Sequence, residues 1–224
     1  LTNILTITED TLGRIWFAHP KTGFGVYDTQ KGTTQYLLKN SGDIAFGAMA
    51  GIRDSCGTIW FGTQPGGIAY YNAYQPSVKA SDIQWLHHPL FDKVPRVTAL
   101  TLHRNHLMIA AYDKILALNL DSFYAGKVNL KYLSAQESNL SSYTEQNTML
   151  TAKDGSIWYA THDNLYRWDF DAWLQLPKNR IRLYTTLTTT KKCDTLHSHR
   201  NLFLTPLQNN FSLKLNYSTP DLLP

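Results

Sequence analysis

Hydrophobic residues in this chain fall in short alternating runs bounded by Gly, Asp, Asn or Pro, and the runs recur at a regular spacing. One segment reads Glu9-Asp10-Thr11-Leu12-Gly13-Arg14-Ile15-Trp16-Phe17-Ala18. A second reads Arg53-Asp54-Ser55-Cys56-Gly57-Thr58-Ile59-Trp60-Phe61-Gly62-Thr63, and a third Lys153-Asp154-Gly155-Ser156-Ile157-Trp158-Tyr159-Ala160-Thr161. Trp60 follows Trp16 by 44 residues and precedes Trp158 by 98, which is room for one more copy. That copy is Asn105-His106-Leu107-Met108-Ile109-Ala110-Ala111, with Met108 in the Trp position, 48 residues after Trp60 and 50 before Trp158. A fixed period of this length marks a repeat architecture.

Each unit has the same internal order. An alternating strand (Ile4 to Ile7, Ala48 to Ile52, Val97 to Leu102, Thr148 to Ala152) is followed by a tight turn in which Gly or Asn supplies a positive φ. The second strand is apolar on both faces, as expected of a strand packed between neighbouring sheets. A third strand (Gly25 to Tyr27, Ile68 to Tyr71, Ile115 to Leu118, Leu165 to Trp168) and a weaker fourth (Thr34 to Leu38, Ile83 to Leu86, Asn129 to Leu133, Trp173 to Leu176) close the unit. Four antiparallel strands at a 44–50-residue period predict an all-β fold, a partial β-propeller of four four-stranded blades. The blades are expected at about 1–40, 41–88, 89–135 and 136–176. Helical repeats would need a 3.6-residue period, which is absent.

The run Asp-x-x-Gly-x-Ile-Trp-Phe-Gly-Thr with the following Gly-Gly-Ile and Tyr-Tyr-Asn, residues 54–72, resembles the two-component regulator propeller repeat. After Pro177 the period stops. Ile181 to Leu187, a turn at Lys191 to Asp194, Asn201 to Leu204 and the alternating run Leu207 to Pro220 resemble the opening strands of the immunoglobulin-like Y-Y-Y domain. Such a sandwich needs about 100 residues, so residues 177–224 are read as its N-terminal part and the chain as a piece of a longer sensor. The resemblance implies the periplasmic sensor region of a Bacteroidetes hybrid two-component system. That sensor would bind a glycan fragment or other small polar ligand and relay the signal to a histidine kinase outside this chain. Further expected partners are the remainder of the polypeptide and a second copy. No cofactor and no catalytic residue are expected. A propeller enzyme acting on carbohydrate and a protein-interaction propeller stay open as alternatives.

Composition narrows this little. At 43% hydrophobic and 17% charged the chain can bury a core, and no apolar run is long enough to span a bilayer. Cys56 and Cys193 form neither a disulfide scaffold nor a metal motif. Residues 1–176 carry 14 Lys/Arg against 15 Asp/Glu and residues 177–224 carry 7 against 2, so the net charge of +4 comes from the tail. Those charges are dispersed, and nucleic acid is not expected as a partner.

The chemistry-bearing residues are few. Adjacent His87 and His88 on an extended chain point in opposite directions, and His103 and His106 flank a turn, where surface positions are expected. Trp16, Trp60, Met108 and Trp158 recur at one position and read as core between blades rather than as sugar platforms. Asp10, Asp54 and Asp154 read as acceptors that close their hairpins. Ligand contacts are therefore sought on loops. Those between second and third strands and those between blades share one propeller face, giving the candidates Lys21, Gln64, His88, Asp92, Lys93, Tyr112, Tyr143 and His162. Rings mixed with amides and charges suit a polyhydroxylated ligand. Apolar faces are expected at the terminal blades, Ile15 and Phe17 at one end and Trp158 or Trp168 at the other, with self-association as the consequence.

Overall fold

The computed structural model describes residues 3–20, 23–37, 47–91, 94–112, 114–134, 144–162, 164–175, 182–189, 193–196 and 211–218. They fall in two compact units, Leu1–Phe170 and Asp171–Pro224.

The first unit is a series of antiparallel sheets, each ordered as its strands run in sequence. Blade one holds β1 (Thr6–Glu9), β2 (Ile15–His19), β3 (Gly23–Asp28) and β4 (Thr33–Tyr36). Blade two holds β5 (Gly47–Arg53), β6 (Thr58–Gln64), β7 (Gly67–Asn72) and β8 (Gln84–Leu86). Blade three holds β9 (Val97–His103), β10 (His106–Ala111), β11 (Lys114–Asn119) and β12 (Leu130–Ser134). The fourth sheet holds β13 (Thr144–Thr151), β14 (Ile157–Thr161) and β15 (Leu165–Trp168). The Met108 unit thus belongs to the series, its strands paired as in the others.

The fourth blade departs from expectation in its outer position. Of Trp173 to Leu176, read as a strand, Trp173 to Gln175 fall in a short helix, α2 (Phe170–Gln175), and Leu176 lies outside the described residues. Its sequence, Phe-Asp-Ala-Trp-Leu-Gln, lacks strand alternation, is rich in helix formers and carries Asp171 in the first turn, where a carboxylate complements the helix dipole. The third blade has a similar insertion, α1 (Leu120–Tyr124), where the Asn119 side chain caps Ser122 N at 2.8 Å.

The first hairpin of three blades turns at a glycine in the left-handed region, Gly13 (φ 75), Gly57 (φ 79) and Gly155 (φ 86). In the third blade this role falls to Arg104 (φ 51) and not to Asn105, a correction to the expectation that Gly or Asn would supply it. The turn there is tighter, His103 pairing directly with His106.

The core lies between blades. Trp16, Trp60 and Met108 are fully buried. Trp16 packs on Tyr71 and Phe61 of the second blade, ring centroids 4.9 and 6.0 Å apart. Trp60 packs on Phe123 of α1 at 4.9 Å. Phe170, also fully buried, sets its ring against His103 and His106 at 5.6 and 5.1 Å. His103 is accordingly 2% exposed, which corrects its reading as a surface residue; burial against the next blade's aromatic outweighs its place beside a turn. Inner strands are also tied together. Thr6 Oγ1 donates to the Gly51 carbonyl (3.3 Å), Thr151 Oγ1 to Leu102 O (2.7 Å) and Asn147 Nδ2 to Leu5 O (2.6 Å).

Trp158 is the exception in its series, being only half-buried. Its cross-strand neighbours on that face, Leu150 and Arg167, are open, Leu150 being 56% exposed. At the other end Phe17 is buried, contrary to expectation, because Tyr36 covers it edge-on at 5.7 Å and Gly25 leaves room beneath its ring. The exposed apolar groups of that face are Ile7, Tyr27 and Tyr36.

In the second unit β16 (Arg182–Thr189) pairs antiparallel with both β17 (Cys193–Leu196) and β18 (Phe211–Ser218). The strand expected at Asn201 to Leu204 lies outside the described residues.

Candidate functional site

Strand direction sorts the loops onto two rims. The β2–β3, β6–β7, β10–β11 and β14–β15 connections share one rim with the links between blades, and the first hairpin turns share the other. On the first rim the best described stretch spans blades two and three. The link between β8 and β9 makes a 3-10 turn at Pro89–Phe91, and His88 Nδ1 accepts from Leu90 N at 3.2 Å. Val94 O then accepts from Gly66 N at 2.9 Å. Only glycine allows that approach, since a Cβ at Gly66 would stand 2.1 Å from the Val94 oxygen. Two residues on, Arg96 O accepts from Tyr112 N at 3.2 Å. The loops after β6 and β10 are thus both pinned to one inter-blade segment.

This brings a subset of the candidates to one rim. Gln64 is exposed at the end of β6, Tyr112 is half-buried after β10, and His88 is half-buried. His88 serves its own turn with one ring nitrogen, so its first role is local. His162, exposed, stands on the β14–β15 loop. Lys21, Asp92, Lys93 and Tyr143 lie outside the described residues.

Arg96 is the residue that sequence reading missed. Its guanidinium lies over the Tyr112 ring, 5.4 Å from the centroid. Its Nε is buried with no hydrogen-bond partner among the described residues. A single Arg before an apolar strand carries no motif, and only the fold places it on the ring of a loop one hairpin away. Together Arg96 and Tyr112 offer a cation, a ring face and an unused donor, the elements that recognise a polar ligand with a partly apolar face. Among the described residues no group of three or more His, Cys, Asp or Glu is placed to hold a metal ion.

The other rim is built on the repeat motif itself. Asp10 Oδ1 accepts from Leu12 N (2.8 Å) and Arg14 N (3.0 Å), and its Oδ2 from Arg14 Nε (2.6 Å) and Trp16 Nε1 (2.7 Å). Asp54 accepts likewise from Thr58 N (3.0 Å) and Trp60 Nε1 (2.8 Å). The carboxylates close their hairpins as expected. They also satisfy the buried indole N–H, which the sequence alone did not reveal.

No protein-family model and no curated protein matches the sequence. Solved structures do match in fold. The extracellular domain of BT3049 from B. thetaiotaomicron, described as a hybrid two component system, aligns over 96% of this chain and 29% of its own, with TM-score 0.64 and 16% identity. That of BT4673, described in the same way and from the same organism, aligns over 75% of this chain and 20% of its own, with TM-score 0.52 and 19% identity. XC5397 from Xanthomonas campestris, described as a gluconolactonase, aligns over 74% of this chain and 58% of its own, with TM-score 0.52 and 13% identity. The chain therefore spans less than a third of the two extracellular domains it resembles, and what it shares with all three is the fold: an all-β propeller architecture.

Proposed function

We propose that this chain is an extracytoplasmic sensing segment of a hybrid two-component signalling protein. It recognises a glycan fragment or another small polar ligand on the rim that carries Gln64, Arg96, Tyr112 and His162. The signal passes through the β-unit after residue 170 to a kinase outside this chain, and the segment itself performs no catalysis. The observation that carries this reading is the order of the parts. Blades with the Asp-x-x-Gly-x-Ile-Trp signature lead into a separate β-unit, and the extracellular domain of BT3049 aligns over 96% of the chain that holds both. Among the described residues no helix is long and apolar enough to cross a membrane.

Calorimetric titration of the chain with a panel of neutral and acidic oligosaccharides tests it. Binding that weakens at least several-fold in Arg96→Ala and in Tyr112→Ala supports the reading. Binding unchanged in both variants moves the ligand elsewhere. A second reading, an enzyme acting on a small carbohydrate derivative, draws on the likeness to the gluconolactonase. Turnover of a sugar lactone by the purified chain would favour it over a sensor.

A further inference from the structure

A second polar site lies on the opposite rim and is independent of the sensor reading. A cleft of about 170 Å³ opens where β3 and β4 of the first blade meet the segment after β7 of the second, lined among others by Arg14, Asp28, Lys31, Thr33, Gln35 and Ser77. Gln35 Nε2 joins its two walls by donating to Val78 O at 3.0 Å.

Arg14 is 5% exposed. Its Nε is committed to Asp10 and its Nη2 to the Ala73 carbonyl, 3.0 Å away. Its Nη1 is buried and has no hydrogen-bond partner among the described residues. An unmatched donor on a desolvated cation is costly, and a carboxylate is its strongest complement. Asp10 sits wholly buried behind the guanidinium and is already shared with Trp16 Nε1. The cleft therefore stands on two ion pairs, Arg14 with Asp10 and Lys31 with Asp28, and what it offers a ligand is the remaining Arg14 Nη1 donor and the exposed Lys31 head. Lys31 holds Asp28 at 2.9 Å, but its side chain is 70% exposed and free to turn toward a ligand. The volume equals that of about six waters, which suits one small molecule and excludes an extended chain.

We propose that this cleft binds a small carboxylate-bearing polyol such as a sugar acid. Its carboxylate accepts from Arg14 Nη1 and Lys31 Nζ while its hydroxyls meet Thr33 and Ser77.

The test is calorimetric titration of the full chain with D-glucuronate, its methyl ester and D-glucose, alongside the Trp16 indole N–H signal by NMR. Glucuronate should bind about tenfold more tightly than the ester or glucose, because the charge-assisted bonds vanish with the charge. It should also shift the Trp16 signal. Lys31→Ala, an exposed position, should weaken binding several-fold with the denaturant midpoint unchanged, and Arg14→Lys should abolish it. Should Arg14→Lys fail to fold, Lys31→Ala and Thr33→Val carry the test. Equal affinity for glucose and glucuronate, binding untouched by Lys31→Ala and Thr33→Val, or no binding at all would overturn the proposal. In the last case water alone satisfies Nη1.

Discussion

The second and fourth blades carry the same motif, Asp-x-x-Gly-x-Ile-Trp or its close variant, yet they use it differently. In the second, Asp54 and Trp60 are sealed beneath the third blade. The Tyr124 hydroxyl of α1 donates to Asp54 Oδ2 and, at 2.8 Å, contacts Thr58 Oγ1, while Phe123 covers Trp60 and Tyr70 at 4.9 and 5.1 Å. In the fourth, the chain of contacts is looser. Trp158 Nε1 donates to Ser156 Oγ (3.0 Å), which in turn donates to Asp154 (2.6 Å), and Arg167 lies on the far carboxylate oxygen at 3.2 Å. Asp154 and Arg167 are more than half exposed. A local sequence thus closes the hairpin by itself, but the depth of its Trp depends on the aromatic residue that the next blade lays over it.

The sharpest way to break this contrast is to truncate both indoles. Trp60→Ala should destabilise the first unit by about 3–5 kcal/mol, the range for a buried aromatic. Trp158→Ala should cost well under half of that, since its site can fill with solvent. Denaturant midpoints decide it, and equal losses would mean the two sites are equally packed.

Next in size is the carboxylate. Asp54→Ala strands the Trp60 N–H and the Thr58 N–H in a buried site, a loss of roughly 3 kcal/mol, while the Tyr124 hydroxyl keeps Thr58 Oγ1 as an acceptor. In Asp154→Ala the exposed Arg167 turns to water and only the buried Ser156 loses an acceptor, so the loss should be well below that of Asp54→Ala, about 1 kcal/mol.

The contrast also explains what sequence could reveal. Period and alternation are properties of each unit alone, and they gave the order of strands and the place of Met108 despite its missing Trp. Covering residues come from the next unit and are set by insertions with no periodic signal. Hence Phe170 over His103, Tyr124 on Asp54 and α2 in place of a fourth strand were not legible. The candidate rim divides in the same way. Loop position put the candidates Gln64, Tyr112 and His162 on that rim, but Arg96 reaches Tyr112 only through the fold. The Arg14 cleft lies on the rim that loop reasoning passed over, because its residues sit in strands and tight turns.

A smaller effect comes from the tyrosine. Tyr124→Phe removes a hydrogen bond to a carboxylate, worth about 1.5 kcal/mol at neutral pH. Burial, and then the bond to the Asp54 carboxylate, push the Tyr124 phenol well above its ordinary 10. Burial, then neighbouring Tyr166, push Tyr159 up to about 12. A phenol whose pKa is raised by folding contributes stability that is whole below pH 10 and is lost as the pH climbs through the folded value. The parent should therefore weaken from pH 10 toward 12, and Tyr124→Phe should show a shallower alkaline limb in denaturant titrations at stepped pH. An unchanged limb would place that tyrosine in solvent.

The least effect belongs to the exposed carboxylate of the fourth blade, where it is visible as a titration more than as a loss of stability. Asp154 is held down at about 2, first by the Ser156 hydroxyl, then by the Ser156 backbone N–H, and only after these by Arg167. Folding lowers this pKa, so the contribution is present above the ordinary carboxylate value near 4 and disappears as the pH falls toward 2. The order of causes makes a specific demand. Ser156→Ala should raise the Asp154 carboxyl titration, followed by carbon-detected NMR, further than Arg167→Ala does, even though Arg167 brings a full charge. The reason is exposure, since water screens an ion pair open to solvent far more than it weakens a short hydrogen bond within one turn. Added salt should accordingly shift the titration in the parent slightly, shift it similarly in Ser156→Ala, and leave Arg167→Ala nearly still. If Arg167→Ala raises the titration more than Ser156→Ala, the ion pair and not the turn governs the carboxylate. The fourth-blade motif would then be held from its third strand rather than by its own hairpin.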